Sequence, residues 1–127
     1  MSGRARLLAV LAVITPLGLL TKLYTGPGAS WVAGSAGGFL YVVFWIALLL
    51  ALFPGLSRAA ACSGVAAATC AIEFTQLWHP PFLERIRAHF LGHALIGSTF
   101  AWSDFPYYLA GALAGYALSV TLRPEED

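Results

Sequence analysis

A small group of polar and charged side chains interrupts segments of the chain that are otherwise apolar. Glu73 and Gln76 lie one helical turn apart, and Asp104 opens a later apolar run. Lys22 ends the first apolar run, and His79 follows Gln76 by three residues. Carboxyl, amide and ammonium groups can bind a polar ligand or exchange protons, and they are costly inside lipid. Their placement therefore indicates a functional site.

Several kinds of chemistry are open to these residues. Arg87 and Lys22 could bind a phosphate, with the guanidinium offering a planar fork of donors. Glu73, Gln76 and Asp104 could accept hydrogen bonds from sugar or peptide groups. Two carboxyls with histidines in reach could instead supply a general acid and a base, although no GxSxG nucleophile motif is present. An ion pair between Arg87 and either carboxyl is the alternative that needs no ligand.

The two histidines between the third and fourth apolar runs could also form a metal site. His89 and His93 are four residues apart, a spacing that can bring two imidazoles to one ion, and Glu73 or Asp104 could complete the set. The HExxH context is absent, because the residue after the first histidine is Phe90. We therefore expect neither a metal nor a cofactor.

The composition indicates that lipid replaces water around most of this chain. Of its 127 residues, 59% are hydrophobic and 10% are charged, and the mean hydropathy is +0.77. A soluble domain carries about a quarter charged residues. The formal charge of +1 argues against nucleic acid as a partner. Cys62 and Cys70 lie in one apolar segment and are expected to fill space.

Four apolar runs approach the roughly 20 residues that a helix needs to cross a hydrocarbon core. They are residues 7–23, 34–53, 59–78 and 105–122. Uninterrupted apolar runs favour helices over barrel strands, whose residues alternate. We predict an all-α membrane protein of four transmembrane helices in a single domain, 1–127. An amphipathic segment, 82–100, is predicted to be interfacial or re-entrant, with an ordinary loop as the alternative.

Glycines recur at a spacing that allows helices to approach closely. Gly34 and Gly38 lie on the second span, and Gly111 and Gly115 lie on the fourth. Small residues four apart let backbones nearly touch. These faces are expected to pack against neighbouring helices, and a homo-oligomer through them is a further expectation.

The polar residues are predicted to share one membrane surface. Lys22 ends the first span, Gly34 begins the second, Glu73 approaches the end of the third, and Asp104 begins the fourth. Antiparallel threading brings these four positions to one end of the bundle, beneath the segment 82–100. The sequence therefore predicts a polar mouth at that end.

The distribution of basic residues gives a preferred orientation. Four spans put both termini and the loop before the third span on one side, with Arg4, Arg6, Arg58 and Arg123, and leave Lys22, Arg85 and Arg87 on the other. The excess of basic residues on the first side favours cytoplasmic termini. The polar mouth would then open outward.

Three short segments together resemble the VanZ-like superfamily. They are IEFTQ at 72–76, RIR at 85–87 and WSD at 102–104, followed by the glycine-rich last helix. The likeness is closest to short bacterial membrane proteins of that superfamily that have no assigned function. It covers the second half of the chain, and its segment QLWHPP at 76–81 includes His79.

The resemblance implies a multi-pass protein of the bacterial inner membrane. It also implies that Glu73, Gln76, Arg87 and Asp104 occupy the signature positions. The superfamily's named member is associated with low-level resistance to a glycopeptide antibiotic. This chain has Tyr107 and Tyr108 where the superfamily has an asparagine, so we do not extend antibiotic resistance to it.

The sequence thus predicts a membrane protein that binds a polar or lipid-linked envelope head group in its mouth. Membrane lipid or a lipid-linked envelope precursor is the expected partner. The candidate ligand-binding residues are Glu73, Gln76, Arg87, Asp104, Lys22 and His79. A membrane-embedded acid/base enzyme and a small scaffold or transport subunit without a site are the alternatives.

Overall fold

The computed structural model describes residues 2–96 and 102–122, and all regular structure in them is helical. The helices are α1 (Gly3–Leu23), α2 (Ala29–Leu52), α3 (Arg58–Thr75), α4 (Pro81–Ala88), α5 (Phe90–Ile96) and α6 (Asp104–Leu122). The predicted all-α class is confirmed for these residues. The end of the segment 82–100 and the basic residue Arg123 lie outside the described residues.

Local sequence signals explain where several helices begin. The Ser2 hydroxyl accepts a hydrogen bond from the Ala5 N–H at 3.1 Å, and the Ser57 hydroxyl accepts one from the Ala60 N–H at 3.1 Å. Such N-caps satisfy backbone donors that the first turn of a helix leaves free. Pro81 opens α4 at a position where its missing N–H costs nothing.

Helix α2 lies at the centre of the bundle and contacts α1, α3 and α6. Its core residues Val42, Ile46 and Leu50 are all but inaccessible to solvent. Leu7 from α1 and Val65 from α3 pack into the same apolar cluster. The position of α2 matters for function because every wall of the site described below is built on it or against it.

Glycines bring α2 and α6 into contact. A Cβ atom at Gly111 would lie 2.8 Å from the Phe39 carbonyl oxygen, and one at Gly115 would lie 2.6 Å from Ile46 Cδ1. At Gly38 an added Cβ would lie 2.7 Å from the Tyr108 ring. We call Gly38, Gly111 and Gly115 the glycine seam. The predicted close approach is therefore made within one chain.

Three helices, α1, α2 and α6, are long and apolar enough to cross a membrane. Large apolar side chains such as Leu17 and Leu113 are exposed on the outer faces of α1 and α6. These features indicate a membrane protein. The remaining predicted span, residues 59–78, corresponds to α3, and the length and composition of α3 do not confirm it as a fourth crossing. The 18 residues of α3 include Arg58 and Glu73 among many alanines, which makes this helix less apolar than the others.

The described part of the predicted amphipathic segment, 82–96, lies in two short helices, α4 and α5. They are separated because His89 has an extended backbone, with φ −86° and ψ 146°. Gly92 then lies against the Ile86 carbonyl, where no side chain would fit. The chain therefore folds back sharply between α4 and α5, which the helical pattern did not predict.

Candidate functional site

A cavity of about 540 Å³ lies at the end of the bundle where α1 and α3 end and α2 and α6 begin. Helix α5 lines one side of it. The lining includes titratable and amide side chains from four helices, α1, α3, α5 and α6: Lys22, Glu73, Gln76, His93, Asp104 and Tyr108. The sequence predicted that four of these, Lys22, Glu73, Gln76 and Asp104, would share one end of the bundle, and the structure brings them to one cavity.

Glu73 is the most buried ionisable residue of the cavity, at 1% exposure. It projects from the last turns of α3 and accepts a hydrogen bond of 2.6 Å from the Tyr108 hydroxyl on α6. Sequence reasoning named Tyr108 only as a departure from the superfamily's asparagine and did not assign it this role. The signal was present, because Tyr108 follows Asp104 by four residues and so shares its face of α6.

A second carboxyl lies next to Glu73. The side chains of Asp104 and Glu73 are within hydrogen-bonding distance of one another. Carboxylates have no donor, so a hydrogen bond between two carboxyl groups requires that one of them carry a proton. The pair can therefore act as one proton donor and one acceptor, or hold a single negative charge between two groups.

Lys22 reaches the cavity from the last turn of α1. Its ammonium group donates a 2.6 Å hydrogen bond to the Ala33 carbonyl and lies within electrostatic reach of Asp104 and Glu73. Ala33 belongs to a π-helical turn at Val32–Ala36, within α2. Turns of this kind disturb the regular hydrogen-bond ladder and are frequent at functional sites. Here the turn supplies the carbonyl that fixes the lysine.

Gln76 has one satisfied and one unsatisfied end. Its amide nitrogen donates to the Ile96 carbonyl at 2.8 Å. Gln76 is 8% exposed, and its amide oxygen is buried. This oxygen has no hydrogen-bond partner among the residues that the structure describes. A buried acceptor without a donor costs about 1–3 kcal/mol, so this oxygen is a ready contact for a ligand.

Hydrogen bonds attach α5 to the bundle at its last turn. Besides the bond from Gln76 to Ile96, the Tyr41 hydroxyl on α2 donates to the Leu95 carbonyl at 2.8 Å. The last carbonyls of a helix have no partner within it, so Tyr41 and Gln76 satisfy two of them. This holds α5 beside the cavity. Sequence reasoning did not identify Tyr41 as an anchor.

The structure places two candidate ligand-binding residues, Arg87 and His79, outside the cavity lining. The Arg87 guanidinium donates to the Thr75 carbonyl at 3.0 Å, the Trp78 carbonyl at 2.9 Å and the Glu84 carboxylate at 2.8 Å. Arg87 is 5% exposed, and it caps the carbonyls at the end of α3. The expected phosphate-binding fork is therefore occupied by the protein's own oxygens.

His79 belongs to the same cluster as Arg87. Its Nδ1 atom lies 2.8 Å from a Glu84 carboxylate oxygen. The hydrogen bond from His79, and then that from Arg87, lowers the pKa of Glu84 from its ordinary 4.5. Glu84 was not among the candidates, although its i,i+3 spacing to Arg87 was a readable signal. This cluster fastens α4 to the end of α3.

No group of three or more His, Cys, Asp or Glu side chains within residues 2–96 and 102–122 could hold a metal ion. His89 is the residue that follows α4, and His93 lies on α5. Of the two, only His93 is among the cavity residues. The arrangement supports hydrogen bonding and proton exchange in the cavity.

These features define a class: an all-helical membrane protein with a polar cavity at one end of an apolar bundle. Residues 28–112 match the family model described as "Protein of unknown function (DUF2809)", and the chain belongs to this family. The match includes every candidate site residue except Lys22. It names an uncharacterised family and not the VanZ-like superfamily. No solved structure gives a significant match.

Proposed function

We propose that this protein binds the polar head group of a membrane lipid, or of a lipid-linked envelope precursor, in the cavity. One observation carries the proposal: buried Glu73 and Asp104, with Lys22, surround a cavity in a bundle of otherwise apolar helices. Ionisable groups in such helices are rare and commonly mark a binding site or pathway. The volume of about 540 Å³ is within the range of small-molecule sites, about 300–1,000 Å³.

In this proposal α3 is a fourth membrane-crossing helix. It packs against α2 and α6, and its two charged residues, Arg58 and Glu73, are 7% and 1% exposed. Charges that face the bundle interior do not prevent a helix from crossing lipid. Helices α4 and α5 then lie at the interface, with Phe82 and Phe90 exposed for contact with lipid.

The proposal places the protein in the bacterial inner membrane as a VanZ-like protein with cytoplasmic termini. The motif residues at 72–76, 85–87 and 102–104 support the likeness, and the basic residues support the orientation. Single cysteines replacing Gly55 and Arg85, in a chain without Cys62 and Cys70, test it. Both sites are exposed and lie at opposite ends of the bundle. An impermeant maleimide should label only the cysteine at 85 in intact cells, and labelling only at 55 would invert the protein.

Acid/base catalysis on a lipid-linked substrate is a second candidate. It is favoured by the hydrogen-bonded carboxyls of Glu73 and Asp104. Such a pair provides an acid and a base side by side. A catalytic role predicts that incubation converts a retained lipid to a product, whereas a binding role predicts that the lipid is recovered unchanged.

A pair of glycine variants tests whether the cavity holds a head group. Gly34 lines the cavity, and an added Cβ would lie 3.4 Å from an Asp104 carboxyl oxygen, so Gly34→Leu extends a side chain into the cavity. Gly64 on α3 has open space around it, so Gly64→Leu is the matched control. Lipids that copurify in native nanodiscs would be identified by mass spectrometry.

We expect a specific lipid in the wild type and in Gly64→Leu, and its loss in Gly34→Leu. If all three proteins carry the same bulk phospholipids in the same proportions, the cavity is not a head-group site.

A further inference from the structure

We infer that the cavity takes an uncharged head group rich in hydroxyl groups, such as a sugar or a polyol, in preference to an exposed phosphate. This inference rests on the proposed function and narrows its ligand class. It follows from the balance of donors, acceptors and charges around the cavity.

The first observation is the free acceptor on Gln76. Its amide oxygen is buried without a partner among residues 2–96 and 102–122, while its amide nitrogen is already bonded to Ile96. A ligand that satisfies this oxygen must supply a donor. A hydroxyl group can donate, whereas a fully ionised phosphate has only acceptors.

The second observation is the pair of carboxyls. Glu73 and Asp104 both line the cavity, and their carboxyl oxygens are acceptors. An ionised carboxylate repels an anion, and it does so more strongly inside a protein than in water, because the dielectric constant is lower there. An anionic group beside this pair would be repelled, whereas hydroxyl groups could donate to the carboxyl oxygens.

The third observation concerns the cations. Among the described residues that line the cavity, Lys22 is the only lysine or arginine. Its ammonium already donates to the Ala33 carbonyl and faces the two carboxyls. Arg87 binds the oxygens of Thr75, Trp78 and Glu84 instead. No guanidinium therefore remains at this site for bidentate binding of a phosphate.

The same charges argue against a cationic head group. The Lys22 ammonium lies within electrostatic reach of both carboxyls, so a second cation in the cavity would meet a like charge. The cavity therefore has charged groups of both signs and several acceptors. His93 also lines it and can donate or accept according to its tautomer. An uncharged polyhydroxylated group matches this surface best.

Two lipids with the same acyl chains test the inference. Nanodiscs of phosphatidylcholine would contain a small fraction of either monoglucosyl diacylglycerol or phosphatidic acid, and native mass spectrometry would measure retention by the wild-type protein. We expect roughly tenfold stronger retention of the glucosyl lipid, the factor that corresponds to one or two additional hydrogen bonds. This comparison needs no mutant.

Gln76→Leu then tests the proposed acceptor. It should reduce retention of the glucosyl lipid roughly tenfold, because the acceptor is lost. Ser119→Ala is the control, since Ser119 is also buried, lies outside the cavity lining and donates to the Tyr116 carbonyl of its own helix. Size-exclusion profiles show whether each variant folds. A folded Gln76→Leu protein with unchanged retention would remove Gln76 from the site.

The outcomes separate this inference from the proposed function. Stronger retention of phosphatidic acid would overturn the inference but leave a head-group site in place. If neither lipid is retained above the phosphatidylcholine background, the inference is wrong, and the proposed function is decided separately by the lipids that copurify with the wild type, Gly34→Leu and Gly64→Leu.

Discussion

Helices α2 and α6 meet differently at the glycine seam and at the cavity. At the seam, a Cβ at Gly111 would lie 2.8 Å from a backbone oxygen of α2, so the two backbones nearly touch. At the cavity, a Cβ at Gly34 would meet only the Asp104 carboxyl, at 3.4 Å. One pair of helices therefore provides both a close contact and a polar site. The difference lies in which side chains face each other.

The two regions should respond differently to mutation. Backbone contact at the seam leaves no room for added atoms, and packed interiors yield little to strain. The cavity end is held by individual hydrogen bonds, each with a net contribution of about 0.5–1.5 kcal/mol. We expect substitutions at the seam to affect stability most, and substitutions at the cavity to affect stability less and binding more.

The largest effect is expected from Gly111→Leu. The new side chain would collide with the Phe39 carbonyl and with Val42, and the backbone atom cannot move aside cheaply. We expect a loss of about 3 kcal/mol in the free energy of unfolding. Thermal unfolding in detergent measures it. Gly64→Leu is the control and should be neutral or stabilising, because nothing lies near it. Equal melting temperatures for both variants would show that the seam does not hold the helices together.

A smaller effect is expected from Tyr108→Phe. This change removes the hydroxyl that donates to Glu73 at 2.6 Å and leaves a buried carboxyl with one partner fewer. The expected loss of stability is about 2 kcal/mol. Tyr116→Phe is the matched control on the same helix, because Tyr116 is 45% exposed. If the two variants have the same melting temperature, the hydrogen bond between α3 and α6 contributes nothing to stability.

Tyr41→Phe tests the attachment of α5 to the cavity. The lost bond to the Leu95 carbonyl should cost about 0.5–1.5 kcal/mol, and the effect should be local. Hydrogen exchange measures it best: amides of α5 should exchange faster, while those of the seam stay protected. Tyr24→Phe removes a hydroxyl that donates to the nearby Pro27 carbonyl, away from α5, so it is the control. Unchanged protection of α5 would mean that other contacts fix it.

The apolar pattern predicted the main helices because burial and spacing act over many residues at once. The predicted spans 7–23 and 105–122 lie within α1 and α6, and their bounds differ from those of the helices by only a few residues. The pattern failed at 82–100, where a single extended residue, His89, divides the helix. The pattern also did not separate α3 from the other three long helices, although its two charged residues, Arg58 and Glu73, are buried within the bundle.

The site could be predicted only in part, for a similar reason. Depth along a helix follows from counting residues, so Lys22, Glu73 and Asp104 could be placed at one end. The bonding of a long side chain cannot be counted in this way. Arg87 was predicted to bind a ligand, but in the structure its guanidinium donates to three oxygens of the protein, at the end of α3 and on α4. Long side chains bind whichever acceptors the fold brings near.

The smallest effect is expected where α4 meets α3, outside both the seam and the cavity. Hydrogen bonds from His79 and then Arg87 lower the pKa of Glu84 below 4.5. A lowered pKa means that the carboxylate stabilises the fold above its ordinary pKa, and that this contribution disappears as the pH falls through the lowered value. Glu84→Gln should therefore reduce the melting temperature slightly at neutral pH, and this difference should shrink and disappear as the pH falls below 4.5.

Two further variants separate this cluster from general acid unfolding. His79→Gln removes the larger cause of the lowered pKa of Glu84. In the His79→Gln background, the difference in melting temperature between the protein that keeps Glu84 and the one that also carries Glu84→Gln should therefore disappear at a higher pH than it does with His79 in place. Arg85→Gln changes an exposed neighbour and should leave the pH dependence as it is. If Glu84→Gln and the wild type differ equally at neutral and acid pH, the carboxylate is not what fastens α4. In that case the burial of Arg87 and its bonds to the carbonyls of Thr75 and Trp78 hold this end of the bundle.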